Sequence, residues 1–122
     1  MLKIKLTDGK LPVVSIYGEI DHHNSYSFRR VMDEALNKGR SMVIDLSDVA
    51  YIDSAGVGII CNAIKRQQSR DCQLGLVLVD DNIKYIINIV SLSRIDNMLI
   101  FDTLEEAIKT MDDNIFDATN VC

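Results

Sequence analysis

The residues best suited to chemistry in this chain are Asp53 and Ser54, a carboxylate beside a hydroxyl, followed by Ala55, Gly56, Val57 and Gly58. A buried-looking apolar strand ends at Ser47, a short acidic loop follows, and Asp53-Ser54-Ala55-Gly56 opens an apolar helical run. A serine in that place lies among unpaired backbone N–H groups, at the positive end of the helix dipole. Three chemistries fit it. The hydroxyl can cap the helix, act as a nucleophile, or carry a phosphate.

The nucleophile reading finds little support around the serine. A hydrolase serine stands in a Gly-x-Ser-x-Gly elbow, and Ile52-Asp53-Ser54-Ala55-Gly56 lacks the first glycine. His22 and His23 could supply a base, but nothing in the sequence fixes either ring. Gly56-Val57-Gly58 begins like a dinucleotide fingerprint, yet Cys61 stands where the third glycine belongs. No Gly-x-x-x-x-Gly-Lys loop is present, so the chain has no evident means of binding ATP by itself. No catalytic residue, metal site or cofactor is therefore expected. A phosphoacceptor needs less: exposure on a loop, a kinase able to dock, and surroundings that tolerate added charge. Gly56 and Gly58 each weaken a helix by ~1 kcal/mol relative to alanine, which points to close approach of the sheet or of a partner.

The surrounding elements must bring these residues to one edge. Leu2 to Leu6 alternates apolar and polar like a half-exposed strand, Asp8-Gly9-Lys10 is a turn, and Leu11 to Tyr17 is a second strand, closed by Gly18. Glu19 to His23 reads as a loop. Asn24 or Ser25 caps a helix to about Asn37, ended by Gly39, with Phe28, Val31, Met32, Ala35 and Leu36 on its core face. Ser41 to Leu46 is an apolar central strand. Ala55 to about Arg70 is helical, with Val57, Ile60, Cys61 and Ile64 on one face. Leu74 to Val79 and Met98 to Phe101 read as strands, and about Asn82 to Val90 as a helix. Thr103-Leu104-Glu105-Glu106 is a capping box that starts a last helix, to about Met111 or beyond.

The order ββαβαβαβα predicts an α/β domain over 1–111, with about four helices on a mixed, largely parallel sheet carrying an antiparallel edge hairpin; 112–122 is a patternless tail. In such sheets ligands gather at the carboxyl ends of strands. Asp21, Asp53 and Ser54 would then converge if the second and third strands end at one edge.

With 122 residues the chain suits one core, and 13 basic against 18 acidic residues give a net charge of −5. That balance argues against a nucleic-acid surface. The first residues are too polar for a signal peptide and no apolar run nears the ~20 residues of a membrane span, so a cytoplasmic protein is expected. Cys61, Cys72 and Cys122 lack metal-ligand spacing and read as reduced thiols.

Gly18-Glu19-Ile20-Asp21-His22-His23, with Val43 to Ser47 and Tyr51-Ile52-Asp53-Ser54-Ala55-Gly56-Val57-Gly58, resembles the bacterial anti-sigma factor antagonists, which are single-domain STAS proteins. The resemblance runs from about Leu2 to Met111. It implies partner switching: the unphosphorylated antagonist binds an anti-sigma factor that is itself a serine kinase, and so frees a sigma factor. The kinase phosphorylates the serine matching Ser54, and a metal-dependent serine phosphatase restores it. Asp21 and Asp53 match the acidic residues about that serine, and Ala55, Gly56 and Gly58 belong to the phosphosite and partner-binding surroundings. Ala55 stands where the family often has Ser or Thr, which leaves Ser54 as the motif's one hydroxyl. The segment Val90-Ser91-Leu92-Ser93-Arg94 lacks the glycine of the family's corresponding loop. The other reading that stays open is a STAS scaffold that binds a different signalling partner or a small ligand, with Ser54 only a cap.

Overall fold

The computed structural model describes residues 2–90 and 97–118. The segment 91–96, with most of the glycine-lacking loop, and residues 119–122 lie outside the described residues. The elements are β1 (Leu2–Thr7), β2 (Val13–Ile20), α1 (Ser25–Leu36), β3 (Met42–Ile52), α2 (Ser54–Ser69), β4 (Leu74–Val77), α3 (Asp81–Val90), β5 (Met98–Phe101) and α4 (Leu104–Ala118). They form one five-stranded sheet in the order β1-β2-β3-β4-β5. β1 pairs antiparallel with β2, and every other neighbouring pair is parallel. The expected order and the edge hairpin are what the chain adopts.

Successive strand residues point to opposite faces, and the core divides accordingly. Val14, Ile16, Ile44 and Leu76 join Phe28, Met32, Ile60, Ile64 and Ile87 in the main cluster, beneath α1, α2 and α3. Val13, Val43, Val77 and Phe101 face the other way, onto Ala107 and Met111 of α4. On α2 the buried line is Gly56, Ile59, Ile60, Ala63, Ile64 and Gln67. Val57 and Cys61, expected on the same face, are half-buried, and Val57 packs against the main cluster. Gln67 is fully buried because its amide donates to the carbonyls of Arg40 (2.8 Å) and Gln73 (3.1 Å), which ties the end of α2 to the strand starts. Cys72 is disulfide-bonded, contrary to the expectation of three reduced thiols.

The main departure from the sequence reading concerns β2 and β3. Both run past their expected ends, to Ile20 and Ile52, so the supposed acidic loop after Ser47 is strand. Register shifts at Ser15/Tyr17 and Gly18/Glu19 let ten residues of β3 (Val43–Ile52) lie along eight of β2 (Val13–Ile20). Gly18 takes φ +106°, a conformation that side chains resist. Each extra residue rotates the strand. From Leu46 on, the buried positions of β3 are therefore Leu46, Val49 and Ile52, at a spacing of three that does not look like a strand's period of two.

Candidate functional site

Ile20 and Ile52 are register partners, so β2 and β3 end side by side and Asp21 and Asp53 follow from adjacent strand ends. The backbone N–H of Asp53 donates to the Ile20 carbonyl at 3.0 Å, which ties the two loops together. The Asp21 loop is a self-bonded turn. Asp21 Oδ1 accepts from the backbone N–H of His23 (2.9 Å) and of Asn24 (3.1 Å). Asn24 answers with Oδ1 on the Asp21 N–H (2.9 Å) and Nδ2 on the Glu19 carbonyl (2.9 Å). Asn24 stands at the N-cap position of α1, but its side chain makes no cap bond; it holds the Asp21 turn shut.

Asp53 is the cap of α2. Its backbone is extended (φ −99°, ψ −174°), and its Oδ1 accepts from the N–H groups of Ala55 (2.9 Å) and Gly56 (3.2 Å). Its Oδ2 lies 3.6 Å from His22 Nδ1. Desolvation alone would push the Asp53 carboxyl up, but the N–H groups of Gly56 and Ala55, with the backbone and ring of His22, outweigh it and hold it below the ordinary aspartate range. Asp80, three residues past β4, repeats the device, accepting from Asn82 N–H (2.9 Å) and Ile83 N–H (3.0 Å) to start α3.

Of the three chemistries open to Ser54, capping thus falls to its neighbour. Ser54 is the first residue of α2, exposed, and its hydroxyl has no hydrogen-bond partner among the described residues. His22 turns to Asp53, and its ring stacks 4.1 Å from that of His23, so no base is bonded to the hydroxyl. The two glycines differ. A Cβ on buried Gly56 would lie 2.6 Å from Ile52 Cγ1 and 2.8 Å from Ile20 Cγ2, so α2 rests directly on the two strand ends. A Cβ on exposed Gly58 would meet nothing within 4 Å. Ala55 is half-buried.

The STAS domain profile matches residues 3–107. The chain belongs to the STAS domain family. A Thermotoga neapolitana protein, provisionally named an anti-sigma factor antagonist, is 36% identical over 93 residues, covering 75% of this chain and 80% of its own. The anti-sigma F factor antagonist of Paenibacillus polymyxa is 26% identical over 102 residues, covering 82% and 86%. A crystal structure from Thermotoga maritima, with the same provisional name, superposes at a TM-score of 0.73 with 30% identity, covering 91% of this chain and 94% of that one. Among the described residues of this STAS domain, no helix is long and apolar enough to cross a membrane, and no group of three or more His, Cys, Asp or Glu could hold a metal ion.

The sequence offers His22 as a base and Asn24 as a helix cap, but not as the partners of Asp53 and Asp21 that they are. Asn24 had a signal, since Asp-x-x-Asn is a spacing at which two side chains can bond each other's backbone. His22 had none, because its neighbour Asp53 is distant in sequence.

Proposed function

We propose that this STAS domain is a non-enzymatic, cytoplasmic anti-sigma factor antagonist. Its unphosphorylated form binds a serine-kinase anti-sigma factor, releases the sigma factor, and is switched off by phosphorylation of Ser54. The observation that carries the reading is the exposed, unbonded Ser54 hydroxyl beside a carboxylate that has taken over the capping. The names of the relatives supply the partner class. A kinase needs an accessible hydroxyl that the fold does not itself use, and exposed Ser54 meets that need. Asp21, Asp53, Ala55, Gly56 and Gly58 form the surface about it, and a serine phosphatase reverses the modification. The phosphate, with a charge of about −2, meets Asp53 in the next residue and opposes docking of the kinase there.

The test is to incubate the chain with its cognate kinase and ATP and read the product by mass spectrometry. One phosphate per chain on Ser54, absent from Ser54→Ala, is the expected result. Labelling that persists in Ser54→Ala counts against it.

A further inference from the structure

The outer edge of the sheet is unfinished. β1 is the edge strand, paired only with β2, so its other backbone edge has no strand partner among the described residues. Its side chains alternate: Leu2, Ile4 and Leu6 are half-buried against the main cluster, while Lys3, Lys5 and Thr7 are exposed on the opposite face. Between β1 and α1 lies an open groove of about 510 Å³, lined by Leu2, Ile4, Asn24, Ser27, Arg30 and Val31. No proline or register shift interrupts the β1–β2 ladder; the device this edge does carry is charge, since exposed Lys3 and Lys5 discourage pairing with a like-charged strand and leave an acidic one as the complement.

Charge selects the occupant. Residues 1–40 carry seven Lys or Arg against five Asp or Glu, a net of +2, whereas 41–122 carry six against thirteen, a net of −7. Of these cations Lys3 and Lys5 lie exposed on β1 and Arg30 lines the groove, so positive charge flanks the open edge. A second copy of β1, paired antiparallel about Ile4, would set Lys3 of one chain opposite Lys5 of the other, and like charges directly opposite are destabilising. We infer that β1 accepts, as a sixth strand, an extended segment of another protein that alternates apolar with acidic residues. Its apolar side chains enter the groove over Leu2, Ile4 and Val31, and its carboxylates lie across from Lys3 and Lys5. The backbone of the added strand satisfies the open edge, and the alternation matches the two faces.

The edge is separate from the Ser54 hydroxyl, and its test needs no kinase. A short capped peptide alternating valine with glutamate is titrated into the labelled protein and followed by amide NMR. The expected result is shifts and exchange protection across Leu2–Thr7. Converting Lys3→Glu with Lys5→Glu should weaken binding by about tenfold, since each cross-strand charge pair changes sign. The same double variant should gain affinity for a valine–lysine peptide. Both lysines are exposed, so the swap leaves the core intact, and recovery with the opposite peptide excludes misfolding. Shifts mapping away from β1, or equal affinity for both peptides, overturn the proposal. So does a concentration-dependent dimer through β1, which would give the edge to a second copy.

Discussion

Gly56 and Gly58 lie two residues apart on α2, and alanine at the two positions should move stability in opposite directions. At Gly58 a new Cβ meets nothing within 4 Å, so only the backbone effect remains. Replacing a helical glycine by alanine there should stabilise by about 0.5–1 kcal/mol, or about 2–4 °C in Tm for a domain of this size. At Gly56 the same gain is offered, but the Cβ would stand 2.6 Å from Ile52 Cγ1 and 2.8 Å from Ile20 Cγ2. Both isoleucines are buried, at 6% and 0% exposure, and Ile20 Cγ2 branches directly from Cβ, so relief requires moving the strand ends or the helix. Overpacking of that kind costs about 1–3 kcal/mol, which leaves Gly56→Ala about 1 kcal/mol less stable after the helical gain. Urea unfolding of both variants, with unchanged m-values, measures the difference. A Gly58→Ala protein that loses stability, or a Gly56→Ala protein that gains as much as Gly58→Ala, would refute the reasoning. On the proposed function, Gly58→Ala, though more stable, should bind the kinase more weakly in a titration calorimeter, since the fold itself has no need of a bare backbone there.

Ser54→Ala should leave stability within about 0.5 kcal/mol of the parent in denaturant titrations, as its hydroxyl holds nothing; Ser54→Asp should lower kinase affinity by about tenfold or more in a titration calorimeter, through an unpaired carboxylate in the interface. Asp53→Ala should cost ~1 kcal/mol of stability, and Asp53→Asn, which keeps an acceptor for Ala55 and Gly56, should cost less. The Asp53 carboxyl is held below its ordinary value, so the unfolded chain binds its proton first. Its stabilisation is complete above the unfolded value of ~3.9 and is lost as pH falls through the lower folded value. Asp53→Asn should therefore flatten the acid limb of a stability–pH curve, and an unchanged limb would refute the assignment.

The parts of this fold legible in the sequence are those whose period is regular. The alternation of Leu2 to Leu6, the apolar run through Leu46, and the Thr103 capping box each announce an element by one local rule, and Glu106 N–H does donate to Thr103 Oγ1 at 3.1 Å. The second halves of β2 and β3 were not legible, because the extra residues in β3 break the period on which a strand is recognised. The site shows the same limit. Asp53 and Ser54 stand out in the sequence as a pair, but which of them caps depends on a single backbone conformation, the extended ψ at Asp53. The Asp21–Asn24 latch and the His22 contact arise only once Ile20 and Ile52 are brought together by sheet register.

That register also bears on how a phosphate at Ser54 would act. The N–H groups at the start of a helix are the natural acceptor site for a phosphate. Here the Ala55 and Gly56 amides are already bonded to Asp53, and the carboxylate that holds them is kept ionised. A phosphate on Ser54 could claim those donors only by displacing Asp53, which surrenders a cap worth ~1 kcal/mol and leaves two anions side by side. Remaining outward, in solvent, is the cheaper arrangement. On the proposed function the switch would then need no rearrangement of the domain: the charge would stand at the exposed face where Gly58 leaves the backbone bare, and would change a partner's ability to close on that face. A cap made by the serine itself would have coupled the modification to the stability of α2. With the cap on Asp53, the fold and the proposed signal would rest on neighbouring but separate side chains.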